Sequence, residues 1–392
     1  MAYTGNSELL ATVTDRFNMA SNILHFTNDG APVAKGPVLP ATHIPASANI
    51  LPKFEKSISK DGWELWFFDC VSPEQRAAVI VGLNRTAQDG TGDGFKVQVT
   101  AIWPDSTTWH RDLYFTESIF ETTSSETRGV WRDTAKAASV SFVSSDGDRN
   151  ISLLFDVPGI VDGNMQLQAL PGDTGLDSDP TLGPSVHYVR PIGRASVTAE
   201  MRLFGGAANE ARTLQLGTRD QPVNGGVDRV WSLGTWPQIM TESYYLRTHV
   251  GPYAIQIMRI FSDMASGNQP YTMARLYHEG KLICAAQDVI EESAQTPQKH
   301  SLVLTKVYNG QDGESVRGKF VDQNTGYSVV FIDQEIGKRW KFQVTHDRIV
   351  WNIPTSAPGP NATGNTGFIE RVVGGLDGEA FTGIGTGGQC QL

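Results

Sequence analysis

Cysteine is scarce in this chain. Its 392 residues include only Cys70, Cys284 and Cys390, widely spaced and with no C-x-x-C pair. That excludes a disulfide framework and a cysteine zinc knuckle. Positive charge is also in deficit. The formal net charge is −10, and the densest basic cluster, Lys338-Arg339-Trp340-Lys341, is short. Without a basic stripe, no nucleic-acid partner is expected. No apolar run approaches the ~20 residues needed to span a bilayer. The N-terminal MAYTGNSELLATVTDRF lacks a basic segment leading into an apolar one. It does not read as a secretory signal, so the expected compartment is the cytosol.

Common enzyme signatures are missing as well: there is no G-x-S-x-G, Walker A loop or H-E-x-x-H. Gly383-Ile-Gly385-Thr-Gly-Gly388 matches G-x-G-x-x-G, but no helix can follow it to hold a pyrophosphate. Glycines there suit a close approach of backbone to a neighbour or a ligand. The eight histidines are scattered. In His278-Glu279 and His346-Asp347 the two side chains point to opposite faces of a strand, so no metal or cofactor is expected.

What the chain does have is turns and short strands. Forty glycines and twenty prolines punctuate it, with 40% hydrophobic and 19% charged residues, a soluble globular composition. From residue 60 onward the pattern runs strand, turn, strand, as in Phe95–Trp103, with little 3.6-residue periodicity. The reading is all-β, as barrels or sandwiches. Residues 1–55 form an extended N-terminal segment packed on the fold. An N-terminal β domain follows over 56–235 and a C-terminal β-barrel domain over 236–392. Closed barrels remove edge strands and leave a mouth or a seam for a ligand.

Trp63-Glu64-Leu65-Trp66-Phe67-Phe68-Asp69 is the most telling stretch. Strand alternation puts Glu64, Trp66 and Phe68 on one face. A carboxylate among large aromatics is either a hydrogen-bonded structural group or the polar anchor of an apolar ligand pocket. The central Gly225-Gly226-Val-Asp228-Arg229-Val-Trp231-Ser-Leu-Gly234-Thr-Trp236 is also distinctive. Asp228 and Arg229 suit an inter-domain clasp, and Trp236 suits a flat pocket wall. Tyr188, Tyr245 and Trp351 are further aromatics near strand ends. With Glu64, Trp66 and Gln98 they would line a long apolar cavity with a few polar contacts.

Assembled in this order, these residues resemble the fungal decalin-forming Diels–Alderases, lipocalin-like proteins distantly similar to the hydroxyneurosporene-synthase group. The carrying motifs are Trp63-Glu64-Leu-Trp66-Phe-Phe-Asp69, Ala101-Ile-Trp103-Pro104-Asp105, His187-Tyr188-Val-Arg190-Pro191, Gly225-Gly226-Val-Asp228-Arg229-Val-Trp231, Gly251-Pro252-Tyr253 and the glycine-rich tail from Gly367-Phe368 to Gly387-Gly388-Gln389. The resemblance implies two lipocalin-like β domains with a pocket between them. It also implies a cofactor-independent [4+2] cycloaddition of a hydrophobic linear polyenoyl tetramic acid to a decalin. Glu64 and Gln98 would be the catalytic polar groups. Trp66, Tyr188, Trp236, Tyr245, Met258 and Trp351 would be the substrate-binding wall. Some members are expected to bring a basic head-group contact from the C-terminal domain, but Pro354–Asn365 here holds no Lys or Arg. A polyene hydratase using Glu64 or Asp69 as proton donor, or a non-catalytic carrier, are the competing readings.

Overall fold

A computed structural model describes residues 22–27, 33–35, 50–54, 58, 61–86, 94–145, 147, 149–173, 180–205, 210–291, 298–308 and 315–392. Among these, fourteen strands form one antiparallel sheet. They are β1 (Asn22–Thr27), β2 (Val33–Lys35), β3 (Trp63–Ser72), β4 (Ala77–Thr86), β5 (Phe95–Ile102), β6 (Thr108–Phe115) and β7 (Glu117–Thr122). β8 (Glu126–Asp133), β9 (Ala138–Ser145), β10 (Asn150–Val157), β11 (Val161–Ala169), β12 (Val186–Leu203), β13 (Arg212–Leu216) and β14 (Val223–Ser232) complete it. The spatial order is β2-β1-β7-β8-β9-β10-β11-β12-β14-β3-β4-β5-β6, with β13 added on β12. The sheet curls until β5 and β6 lie against β8, so the barrel is nearly closed. β1 and β2 come from the segment expected to lie extended on the fold. Most of the rest of that segment lies outside the described residues.

A short helix, α1 (Trp236–Ile239), joins this sheet to a second of nine strands. These are β15 (Glu242–Val250), β16 (Tyr253–Phe261), β17 (Pro270–His278), β18 (Lys281–Ala286), β19 (His300–Val307), β20 (Gly326–Asp333), β21 (Lys338–Pro354), β22 (Gly364–Leu376) and β23 (Phe381–Gln391). Their order is β18-β17-β16-β15-β23-β22-β21-β20-β19. Just beyond β18, Ile290 N–H donates to Leu302 O at 2.8 Å and Leu302 N–H to Asp288 O at 3.1 Å, bringing the two edges together. Gly251, at φ 54°, and Pro252 turn β15 into β16, a two-residue hairpin whose first position favours glycine.

On the strands at the joint, period-two alternation sorts side chains between a barrel interior and the seam. On β3, Trp66, Phe68 and Cys70 face the first barrel's core, with Val81, Val99, Trp131 and Phe142. Trp63, Leu65, Phe67 and Val71 face outward. Those outward residues meet the second barrel in two apolar patches. One joins Trp63, Tyr188 and Val230 to Met258, Ile260 and Cys390. The other joins Val71, Ile80 and Ile102 to Val350, Ile369 and Ile384. The second barrel has its own core around Leu246, Ile257, Phe331 and Phe342.

Candidate functional site

A cavity of about 460 Å³ opens in the seam and draws its walls from both apolar patches. The first barrel contributes one patch of its outer face. Asp228, Phe67, Gly82, Gln98 and Asp112 are successive register partners across β14, β3, β4, β5 and β6. The first four of that row line the cavity, flanked by Leu65, Asn84, Lys96 and His110. The second barrel supplies Ser243, Tyr245 and Arg247 on β15, Met258 on β16, Trp351 on β21 and Asn365 on β22.

The aromatic walls are held from behind. Thr235 begins α1 with a capping box, its N–H bonded to Gln238 Oε1 at 2.8 Å. This turn lays Trp236 on Trp63 with ring centroids 4.2 Å apart, and Trp63 Nε1 in turn donates to Gly234 O at 2.8 Å. Trp351 lies parallel to Tyr245 at 6.5 Å, and its Nε1 donates to Asn365 Oδ1 at 2.9 Å. Gly367 on β22 makes room for the Trp351 ring, because a Cβ there would collide with it.

Two polar regions border the apolar surface. On β5 and β6, His110 Nδ1 pairs with Thr100 Oγ1 at 2.8 Å and its Nε2 lies 3.4 Å from Asp112. Burial works against the Asp112 charge. Hydrogen bonds from His110 and Gln98, with the Lys96 ammonium 3.9 Å away, outweigh it and hold the carboxyl below its ordinary range. In the seam, Arg247 ion-pairs with Asp228 and lies 3.3 Å from Asp69. Arg190 holds the other Asp228 oxygen at 2.7 Å, and Thr386 Oγ1 donates to Asp69 at 2.7 Å. Burial disfavours the Arg247 charge, but the two carboxylates more than offset it and raise its pKa. Desolvation pushes the Tyr188 and Tyr245 phenols up, so both stay protonated.

Of the residues singled out from the sequence, Gln98, Tyr188, Trp236, Tyr245, Met258 and Trp351 all meet on this cavity. Glu64 and Trp66 do not. They face the interior of the first barrel, where both are fully buried. Glu64 takes Arg85 at 2.6 Å, Arg229 at 2.8 Å and the Lys53 N–H at 2.7 Å. Trp66 lies under the Arg229 guanidinium at 3.6 Å. Alternation grouped them correctly, but the grouped face is the core, where an ion cluster satisfies the carboxylate. Burial lowers the pKa of Arg85 and of Arg229 to about 10, with Glu64 opposing it. The Asp228–Arg229 neighbours therefore divide: Asp228 clasps the second barrel and Arg229 serves the first barrel's core. The glycine-rich tail runs through β22 and β23, and in β23 Gly383 and Gly385 lie too close to the β15 backbone for any Cβ.

Some of the lining residues missed from the sequence are alternation partners of ones that were found: Lys96 and Thr100 stand two residues either side of Gln98, and Ser243 and Arg247 two either side of Tyr245. Leu65 and Phe67 belong to the opposite face of β3 from Glu64 and Trp66.

Residues 21–392 match the model of a family described as Diels-Alderase-like. The chain belongs to this family. Relatives cover nearly all of it. The Diels-Alderase fsa2 of Fusarium sp. strain FN080326 is 53% identical over 94% of this chain and 98% of its own. The Diels-Alderase phm7 of Pyrenochaetopsis sp. is 36% identical over 92% and 95%. The crystal structure of CghA with Sch210972 superposes with a TM-score of 0.83 at 27% identity, covering 95% of this chain and 99% of that one. That structure and this chain thus share one fold over nearly their whole length. No helix among the described residues is long and apolar enough to cross a membrane.

Proposed function

We propose that the protein is a Diels–Alderase that folds a linear polyenoyl tetramic acid-type polyketide in the seam cavity and closes it to a decalin with one stereochemistry. The observation that carries this reading is the cavity itself. It is bounded by fixed aromatic walls on two barrels, its volume lies in the small-molecule range, and its polar groups are confined to patches. Family membership and the named Diels-Alderase relatives support the reaction class.

In a [4+2] closure, diene and dienophile form two carbon–carbon σ bonds at the expense of two π bonds. No atom is gained or lost, so no nucleophile or proton acceptor is required. The enzyme's task is to hold a flexible chain in a near-attack fold, an effect with a ceiling of ~7–11 kcal/mol. Trp236, Tyr188, Met258, Tyr245 and Trp351 are the walls we assign to that task. To Gln98, which lines the cavity, we assign a hydrogen bond to a head-group carbonyl that draws electron density from the dienophile. Such a contact contributes about 1–3 kcal/mol in the transition state. Glu64 acts at a distance, by tying β3, which carries Leu65 and Phe67, to Arg85 on β4 and Arg229 on β14. The three buried cysteines carry free thiols, which supports a cytosolic site for the reaction.

The test is incubation of the purified protein with a linear polyenoyl tetramic acid, followed by chiral chromatography with mass detection. The expected result is one isobaric decalin diastereomer appearing faster than in the protein-free control. Polyene binding with an unchanged isomer ratio and rate would leave a carrier, and a gain of one water would mean a hydratase.

A further inference from the structure

We infer that Gly82 is a specificity-determining position of the cavity, where a missing side chain leaves a recess that receives the folded, cyclising segment of the substrate. This deepens the cycloaddition reading and rests on it for the identity of the occupant.

The strand glycines of the described residues separate into two kinds. All but one would drive a Cβ to within 3.0 Å of a neighbour: on Gly129 it would meet the Phe142 ring at 2.5 Å, and on Gly388 the Tyr245 ring at 2.5 Å. At nearly all of those positions the protein's own packing accounts for the glycine. Gly82 is the exception. Its backbone is not left-handed, and the nearest atoms to a Cβ there would be Leu65 Cδ1 at 3.3 Å, Asn84 Nδ2 at 3.6 Å and Gln98 Oε1 at 3.8 Å. These are ordinary or slightly tight contacts, all with ends of side chains that themselves line the cavity.

A glycine in mid-strand weakens the strand and gives up a packing side chain, so it calls for a reason. β4 otherwise reads Ala-Ala-Val-Ile-Val before it and Leu83 after it. Neither φ nor a close backbone atom supplies the reason at Gly82, and its one tight neighbour is the movable end of Leu65, which leaves the cavity. On the sheet row it stands between Phe67 and Gln98. An apolar group seated there lies on bare β4 backbone, with the Phe67 ring on one side and the Gln98 amide on the other. A chain whose bend occupies this recess presents one face to Gln98, and filling the recess forces another fold.

The experiment compares the wild type with Gly82→Ala and Gly82→Leu in the full-length protein. It uses a linear polyenoyl tetramic acid and an analogue with a shorter polyene. Melting temperature, polyene binding by tryptophan fluorescence, kcat/KM and diastereomer ratio are read for each. Gly82→Ala is expected to melt at or above the wild-type temperature. Gly82→Leu is expected to bind the longer polyene about tenfold or more weakly, to lose at least as much in kcat/KM and to change the isomer ratio, with the shorter analogue affected less. Wild-type binding, rate and ratio in Gly82→Leu would overturn the inference. A fall of several degrees in Gly82→Ala would also overturn it, because the fold would then require the glycine. If the wild type binds polyene but accelerates no cyclisation, the cycloaddition reading fails by itself. Weakened binding by Gly82→Leu would still uphold the recess, and unchanged binding would remove it.

Discussion

Arg247 Nε of the second barrel lies 3.3 Å from Asp69 Oδ2 of the first, and the same guanidinium grips Asp228. It also covers the Phe67 ring at 4.3 Å and the Tyr245 ring at 5.0 Å, two walls of the cavity. The clasp therefore sets both the joint between the barrels and the pose of the side chains at the cavity edge. Replacing Arg247 by Met leaves two buried carboxylates with Arg190 as their remaining cation. The expected loss is about 3–5 kcal/mol of stability, read as a lower urea midpoint. Adding Asp228→Asn to Arg247→Met is expected to recover part of that loss. Independent, additive losses in the double variant would mean the two residues do not act as a pair.

Glu64→Gln tests the opposite assignment, a charge that matters to the fold and not to the reacting centre. Two fully buried guanidiniums would lose their carboxylate, again at a cost of about 3–5 kcal/mol. The folded fraction is expected to keep the wild-type diastereomer ratio, since Glu64 faces away from the cavity. An unchanged melting temperature with an altered ratio would place Glu64 in the chemistry after all.

How much of this was legible beforehand depends on what period two can and cannot say. The pattern at Trp63–Asp69 gave the strand and its two faces. Which face looked into a barrel and which into the seam is a one-residue phase choice that depends on what packs on each side. Carboxylate chemistry favoured Glu64 as the ligand contact, because Arg85 and Arg229 are 21 and 165 positions away and could not be seen as its partners. The aromatics Tyr188, Trp236, Tyr245 and Trp351 were found because large rings near strand ends have few other uses. Arg247 was readable from Tyr245 by alternation, but nothing in the chain showed that its partners would be Asp69 and Asp228. Gly82 interrupts an apolar strand run, but the reason for it depends on how little surrounds the Cβ it lacks, which the sequence does not show.

The seam also carries a pH prediction. Burial, together with the charges of Arg190 and Arg194, lowers the His249 pKa to about 3. In the unfolded chain the same imidazole takes its proton near about 6.5. Between those values the unfolded state binds more protons, so stability rises with pH across the window and is lost as pH falls through it. His249→Asn should flatten the decline in urea midpoint between about pH 6.5 and about pH 5 by up to one proton's worth of slope. Parallel curves for the two proteins would mean that His249 is as free to protonate in the fold as outside it.

Trp351 offers the sharpest test of wall geometry, because it can be removed or merely displaced. Trp351→Ala deletes a ring that lies parallel to Tyr245 and opens the cavity beside β22. A flexible polyene would then sample more folds, with an expected fall in kcat/KM of about ten- to a hundredfold and an eroded diastereomer ratio. Gly367→Ala keeps the indole but places a methyl group where its ring lies, so the ring must move. If the wall acts by position, Gly367→Ala shifts the isomer ratio in the same direction as Trp351→Ala while tryptophan remains. If it acts only by apolar area, Gly367→Ala keeps the wild-type ratio and Trp351→Ala alone changes it. Chiral chromatography of the two products side by side decides between these, and a wild-type ratio from both variants would remove Trp351 from stereocontrol.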